Sequence, residues 1–284
     1  MKSSSALTEP ARQPAAGVLV DAAWLEAHLH DPAVRVVEVD VSRRAHDEWH
    51  VDGAVFWDVY RDLKDADYQL IEAAATMRLL ARSGIGPGST VVFYGYAPAL
   101  GFWLAKLYGH QDARILDCSR DAWRDEGHPV SSQPSEPAVA RYVLPGPDPR
   151  LRAGQVAVRD AIGRPGRLAR GRRRARTARP GTRPRSARPA ACGRAGHVPS
   201  AVHQAIDGLY DERGAFLDVA ALRGVFSVVD PDGADELITY CTIGGRACTA
   251  WFVLTYLLGR DGVRVYDGSW AEWGRMPEAP VEQA

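Results

Sequence analysis

The chain has 284 residues, 46% hydrophobic and 25% charged, which fits about two soluble domains and excludes collagen-like and disulfide-scaffold classes. Its 35 Lys+Arg balance 35 Asp+Glu, so the overall charge points to no special partner. No apolar run approaches the roughly 18–20 residues that span a bilayer, which excludes a membrane class.

Residues 1–17, MKSSSALTEPARQPAAG, read as a disordered N-terminus. The segment has no apolar h-region, so no secretory signal is expected and a cytoplasmic location is. VRVVEVDV (Val34–Val41) then reads as a buried strand. Glu72–Arg82 has a helical pattern closed by Ser83-Gly84, and Gly86-Pro87-Gly88 turns the chain into VVFYG (Val91–Gly95). A helical stretch ending at Gly109 leads to ARILDCSRDAW (Ala113–Trp123). Residues 131–155 are rich in Pro and Gly and read as a linker over the surface. Beyond it, Leu217–Phe226 reads as a helix, Asp230–Gly233 as a turn, and LITYC (Leu237–Cys241) as a strand. A helix through about Leu258 ends at Gly259, and VRVYDGSWAEW (Val263–Trp273) follows.

These elements repeat. Ala113–Trp123 aligns with Val263–Trp273 at an offset of 150, pairing Asp117 with Asp267, Ser119 with Ser269 and Trp123 with Trp273. HVDGAV (His50–Val55) aligns with HVPSAV (His197–Val202) at an offset of 147. Several matches in one order argue for duplication. The predicted fold is therefore α/β, with two similar tandem domains at 18–130 and 156–280, each a parallel sheet flanked by helices. Trp123, Trp251 and Trp273 read as core aromatics, and His50 and His197 as structural loop positions.

One segment breaks the pattern. Twelve of the Arg lie between Arg164 and Arg194, and no Asp or Glu occurs from Ala161 to Ile206. From Arg164 to Ala191 the only large apolar residue is Leu168. Such a composition resembles a disordered basic tract, and no central parallel strand is expected in it. Binding of nucleic acid or another polyanion is one alternative, but the tract has no interleaved aromatics and replaces a core strand rather than adding to a complete domain, so no nucleic-acid partner is expected. A solvated linker is a second alternative. The favoured reading is an out-of-frame translation of GC-rich coding sequence at about 163–193, which predicts a disrupted second domain and weak activity.

The chemistry centres on Cys241. It ends an apolar strand and is followed by Thr242-Ile243-Gly244-Gly245-Arg246 and a helix. Strand, tight loop and helix N-terminus point backbone N–H groups into the loop, a cradle that favours an anion. A thiol there is expected below the roughly 8.5 of free Cys, with Arg246 adding positive charge. The alternative is a buried structural Cys. Cys118, Cys192 and Cys248 show no CxxC or ligand spacing, and no metal is expected.

With these residues in view, the chain resembles the tandem-domain rhodaneses, the thiosulfate sulfurtransferase family. The resemblance is carried by HVDGAV and HVPSAV, the Gly196-His197-Val198-Pro199 element, KLYGH (Lys106–His110), the Asp267–Trp273 block and YCTIGGRACTAWFVL. It implies a catalytic second domain, with no thiol at the first-domain equivalent near Gly95-Tyr96. It also implies sulfane transfer from thiosulfate, through a Cys241 persulfide, to cyanide or a thiol. The loop Thr242–Arg246 would bind the donor, Asp267 and His197 would support the site, and no cofactor is needed. Expected partners are a small-molecule sulfur donor and acceptor, with no membrane, and the chain is expected to be a monomer.

Cysteine phosphatases use Cys-x5-Arg, and the loop here is one residue shorter. Thiosulfate enzymes usually carry Arg directly after the nucleophile and mercaptopyruvate enzymes Gly-Ser-Gly-Val, whereas this chain has Thr242. A 3-mercaptopyruvate sulfurtransferase is therefore one alternative, and a non-catalytic rhodanese-like binding module another.

Overall fold

A computed structural model describes residues 17–164, 166–172, 193–233 and 235–283. The N-terminal 1–16, for which disorder was expected, lie outside the described residues.

The first half builds β1 (Leu19–Val20), α1 (Ala22–His28), β2 (Val34–Asp40), α2 (Arg43–Glu48), β3 (His50–Val51), β4 (Val55–Asp58), α3 (Ala73–Arg82), β5 (Thr90–Gly95), α4 (Pro98–Leu107), β6 (Ala113–Leu116), α5 (Arg120–Asp125) and β7 (Val130–Ser131). Its main sheet is parallel in the order β1-β6-β5-β2-β4. The second half builds α6 (Gln155–Ala161), β8 (Leu168–Arg172), β9 (Val202–Ala205), α7 (Val219–Val225), β10 (Leu237–Tyr240), α8 (Gly245–Phe252), β11 (Val263–Val265) and α9 (Ser269–Trp273). Its sheet, also parallel, has the order β11-β10-β8-β9. Each is a sheet flanked by helices, as the alternating pattern required.

The central strands are apolar because helices cover both faces: every residue of β10 is buried, as are Val91–Tyr94 of β5. One large core runs through both halves, with Phe102 of α4 packed against Trp251 and Phe252 of α8. Trp123, Trp251 and Trp273 are fully buried, as expected of core aromatics. No helix among the described residues is long and apolar enough to cross a membrane.

The duplication extends to single bonds. The Val51 N–H donates to the Tyr94 hydroxyl at 3.0 Å, and the Val198 N–H to the Tyr240 hydroxyl at 3.1 Å. Each half also sends one loop into the other. In the first loop, Lys64 bridges Leu70, whose N–H donates to Asp267 of the second half at 2.8 Å. In the second, Tyr210 bridges Phe216, whose N–H donates to Asp117 of the first half at 2.7 Å. The two halves therefore meet like the subunits of a two-fold dimer.

The Arg-rich segment corrects one expectation. Leu168–Arg172 forms a strand between β10 and β9, in the middle of the second sheet, where none was expected. The pairing is made by the backbone: Ile238 pairs with Leu168, and Ala169 with Val202. Leu168 and Ala169 are fully buried, and Gly171 is small enough to lie against the Arg246 backbone, which its Cβ would meet at 3.3 Å. Two buried apolar side chains and a full ladder offset the ordering of five residues, so a low apolar count over 28 positions misjudged this short stretch. Residues 165 and 173–192 of the tract lie outside the described residues.

Candidate active site at the end of the second sheet

Strand β10 delivers Cys241 to the carboxyl end of the sheet, where α/β folds place their ligands. The thiol is 3% exposed. Gly244 caps α8 with a φ of +97°, a conformation that favours glycine. Its N–H reaches back to Cys241 Sγ at 3.2 Å. A Cβ on Gly244 would lie 2.9 Å from the Asp267 carbonyl oxygen and 3.2 Å from Lys64 Nζ, so the turn has no room for a side chain.

Burial by itself would push the Cys241 thiol up. Against it act the Arg246 guanidinium and the amides of Ala247, Ile243 and Gly244, which together hold it below the ordinary thiol value. The other described cysteines behave oppositely. Burial, followed by Glu126, pushes Cys118 up to about 11, and burial pushes Cys248 well up. Nucleophilicity at neutral pH belongs to the thiolate, and Cys241 is the described cysteine placed to form one.

The loop is also held from behind. The Cys241 N–H donates to Ser269 Oγ at 3.1 Å, and Ser269 Oγ donates to the Tyr266 carbonyl at 2.8 Å. The N–H groups of Trp270 and Ala271 donate to the carbonyls of Cys241 and Thr242 at 3.1 and 2.9 Å. Ser269 sits at a φ of +52° to make this turn.

The residues singled out in the sequence fall into two groups. Cys241, Ile243, Gly244 and Arg246 converge on the sulfur. Thr242 holds Arg246, whose Nη2 donates to Thr242 Oγ1 at 3.0 Å. Gly245 opens α8 close to α4, where a Cβ would lie 3.9 Å from Ala97 Cβ. Asp267 adjoins the loop through its backbone, but its carboxylate is turned to the domain boundary. There it accepts the Leu70 N–H and takes Arg152 Nε at 2.8 Å and Nη2 at 3.1 Å. His197 lies apart from the loop: its backbone exchanges hydrogen bonds with Glu282, both at 2.9 Å, and its Nδ1 lies 3.1 Å from the Val198 carbonyl. His50 is likewise structural, with Nδ1 at 2.8 Å from the His46 carbonyl.

Sequence reasoning missed Lys64, Arg152, Ser269 and the Ala247 amide. Only Ser269 had a visible signal, its alignment with Ser119.

Comparison with known proteins agrees with this geometry. The Rhodanese-like domain family matches residues 183–276. The thiosulfate sulfurtransferase of Corynebacterium glutamicum is 35% identical over 270-odd residues, covering 93% of this chain and 90% of that one. The sulfur carrier protein TtuD of Thermus thermophilus is 34% identical, covering 93% of this chain and 96% of its own length. Among solved structures, EanB bearing a cysteine persulfide with ergothioneine superposes with a TM-score of 0.79 at 19% identity. That match covers 96% of this chain and 72% of the other, and it supports the fold. Matched along nearly its whole length to sulfurtransferases, the chain belongs to the rhodanese family and is a sulfur-transfer enzyme.

Proposed function

We propose that Cys241 carries sulfane sulfur from thiosulfate to a thiophilic acceptor, cyanide or a thiol. The Cys241 thiolate attacks the outer sulfur of thiosulfate, a Cys241–sulfur bond forms, and the sulfur–sulfur bond of the donor breaks. Sulfite leaves with that bond's electron pair. Cyanide carbon then attacks the terminal sulfur of the persulfide, thiocyanate departs, and the thiolate is regenerated, a two-step ping-pong cycle.

The observation that carries this reading is the buried Cys241 sulfur at the end of β10 with the Gly244 N–H on it at 3.2 Å, in a setting where Arg246 and the amides of Ala247, Ile243 and Gly244 favour the thiolate. The same donors suit the negative charge of the persulfide. No step calls for a metal or organic cofactor. On this reading the second half is catalytic, and the first, with Gly95-Tyr96 at the equivalent place, is not.

The test is thiosulfate:cyanide turnover, followed as thiocyanate, for the chain and for Cys241→Ser. Turnover abolished in the variant supports the reading. Turnover retained in the variant would place the chemistry elsewhere. A wild-type chain that uses 3-mercaptopyruvate and rejects thiosulfate would change the donor, and one that uses neither would favour a binding module.

A further inference from the structure

The two loops exchanged between the halves superimpose bond for bond. Asp65 N–H donates to the Gln69 carbonyl and Asp211 N–H to the Ala215 carbonyl, while Ile71 N–H meets Leu63 and Leu217 N–H meets Leu209. In this register Lys64 corresponds to Tyr210. At this matched position the loop that enters the first half carries a phenol, and the one that enters the second half carries an amine beside Gly244 and Asp267.

That amine is buried: the Lys64 side chain is 1% exposed, a rare state for Lys. Nζ donates to the Asp267 carbonyl at 2.9 Å and lies 3.2 Å from where a Gly244 Cβ would stand. It is not the main partner of the Asp267 carboxylate, since Oδ2 is 3.8 Å away and Arg152 and the Leu70 amide already occupy that group. Two cations therefore share one carboxylate, leaving an excess positive charge behind the sulfur loop. Asp267 also begins the stretch whose Ser269, Trp270 and Ala271 hold the backbone of Cys241 and Thr242.

The geometry points to Lys64, contributed by the first half, as a positioning residue for sulfur transfer in the second. By gripping the Asp267 carbonyl against Gly244, it holds the thiol loop closed and supplies a positive charge that favours Cys241 as thiolate and as persulfide. This role rests on the reading of Cys241 as the sulfur carrier, and it makes the first half a necessary part of the site. The groups facing the ammonium are Asp267, Cys248 and Cys241, which sustain its charge, and Arg152, which opposes it. Burial, the largest influence, draws its affinity for the proton down.

The experiment follows the iodoacetamide alkylation of Cys241 against pH in the full-length chain, read by peptide mass, for wild type, Lys64→Gln and Lys64→Arg. Gln keeps a donor without the charge, and Arg keeps both. Lys64→Gln is expected to slow alkylation at neutral pH about tenfold and move the profile to higher pH. Lys64→Arg is expected to restore most of the rate, which a merely structural role would not separate by charge. An unchanged profile in a folded Lys64→Gln, or Arg as slow as Gln, overturns the proposal. So does a failure of both variants to fold by circular dichroism, which assigns Lys64 to the domain boundary alone. Loading the wild-type chain with thiosulfate in parallel keeps the two readings apart. If no sulfur is taken up while the alkylation differences stand, it is the sulfur-carrier reading that fails.

Discussion

Replacing Gly244 by Ala tests the cradle around Cys241 at its tightest point. The backbone there has a φ of +97°, and a methyl would sit 2.9 Å from the Asp267 carbonyl oxygen and 3.2 Å from Lys64 Nζ. Holding a non-glycine residue in such a conformation costs about 1–3 kcal/mol, and the contact with a backbone oxygen adds to it. The expected relief is an outward swing of residue 244, which would withdraw the amide now 3.2 Å from Sγ. A hydrogen bond to a charged group contributes about 1.5–3 kcal/mol. Its loss raises the thiol's proton affinity about 10- to 100-fold. Cys241 is held below the ordinary thiol value, so its alkylation rate levels off at a lower pH than that of a free thiol. In Gly244→Ala the rate should climb later, by about one to two pH units, and kcat/KM for thiosulfate should fall by about the same 10- to 100-fold factor. Sulfite release and iodoacetamide kinetics across pH measure both. A folded Gly244→Ala with an unshifted alkylation profile would refute the amide cradle as the source of thiol activation.

Other substitutions probe the surroundings. Asp267→Asn leaves Lys64 and Arg152 without their shared carboxylate; urea unfolding should show a loss of about 3 kcal/mol, and an unchanged midpoint would remove Asp267 as the boundary anchor. Thr242→Arg places a cation directly after the nucleophile and should lower KM for thiosulfate more than it changes kcat; the reverse split in steady-state kinetics would contradict a binding role for this position. Arg170 pairs with Tyr240 at the register where Glu38 pairs with Tyr94, and the Tyr94 hydroxyl donates to Glu38 at 2.8 Å. An out-of-frame origin for the Arg-rich tract therefore predicts that translating the Ala161–Gly193 region in another frame gives an apolar strand with an acid at this place; two frames without one would refute that origin.

Much of the fold was written locally. Strand runs such as Val91–Gly95, the Glu72–Arg82 helix and the Gly-bounded loop after Cys241 carry their own signals, and the duplicated Asp-x-Ser-x-x-x-Trp block set the two-half architecture. The strand end, Cys241 and its loop were legible because strand, glycines and arginine are contiguous. Lys64, Leu70 and Arg152 were not, because they reach Asp267 from about 115 to 203 residues away and only tertiary packing brings them there. Asp267 lies beside the loop through its backbone, yet its carboxylate serves the boundary between halves, a direction that sequence position does not encode. Strand β8 was missed for another reason. Composition counts side chains, whereas a central strand also needs backbone partners, which β9 and β10 supply to Leu168–Arg172. Residues 173–192, where the composition is most extreme, lie outside the described residues.

The central claim is that one thiolate, Cys241, accepts a sulfane atom. Incubating the chain with thiosulfate, removing excess donor and weighing the Cys241 peptide under non-reducing conditions tests it most directly. The account predicts one added sulfur atom on that peptide, released by cyanide and absent from Cys241→Ser. An unmodified Cys241 peptide after incubation, or added sulfur found on Cys118 or Cys248 instead, would contradict it.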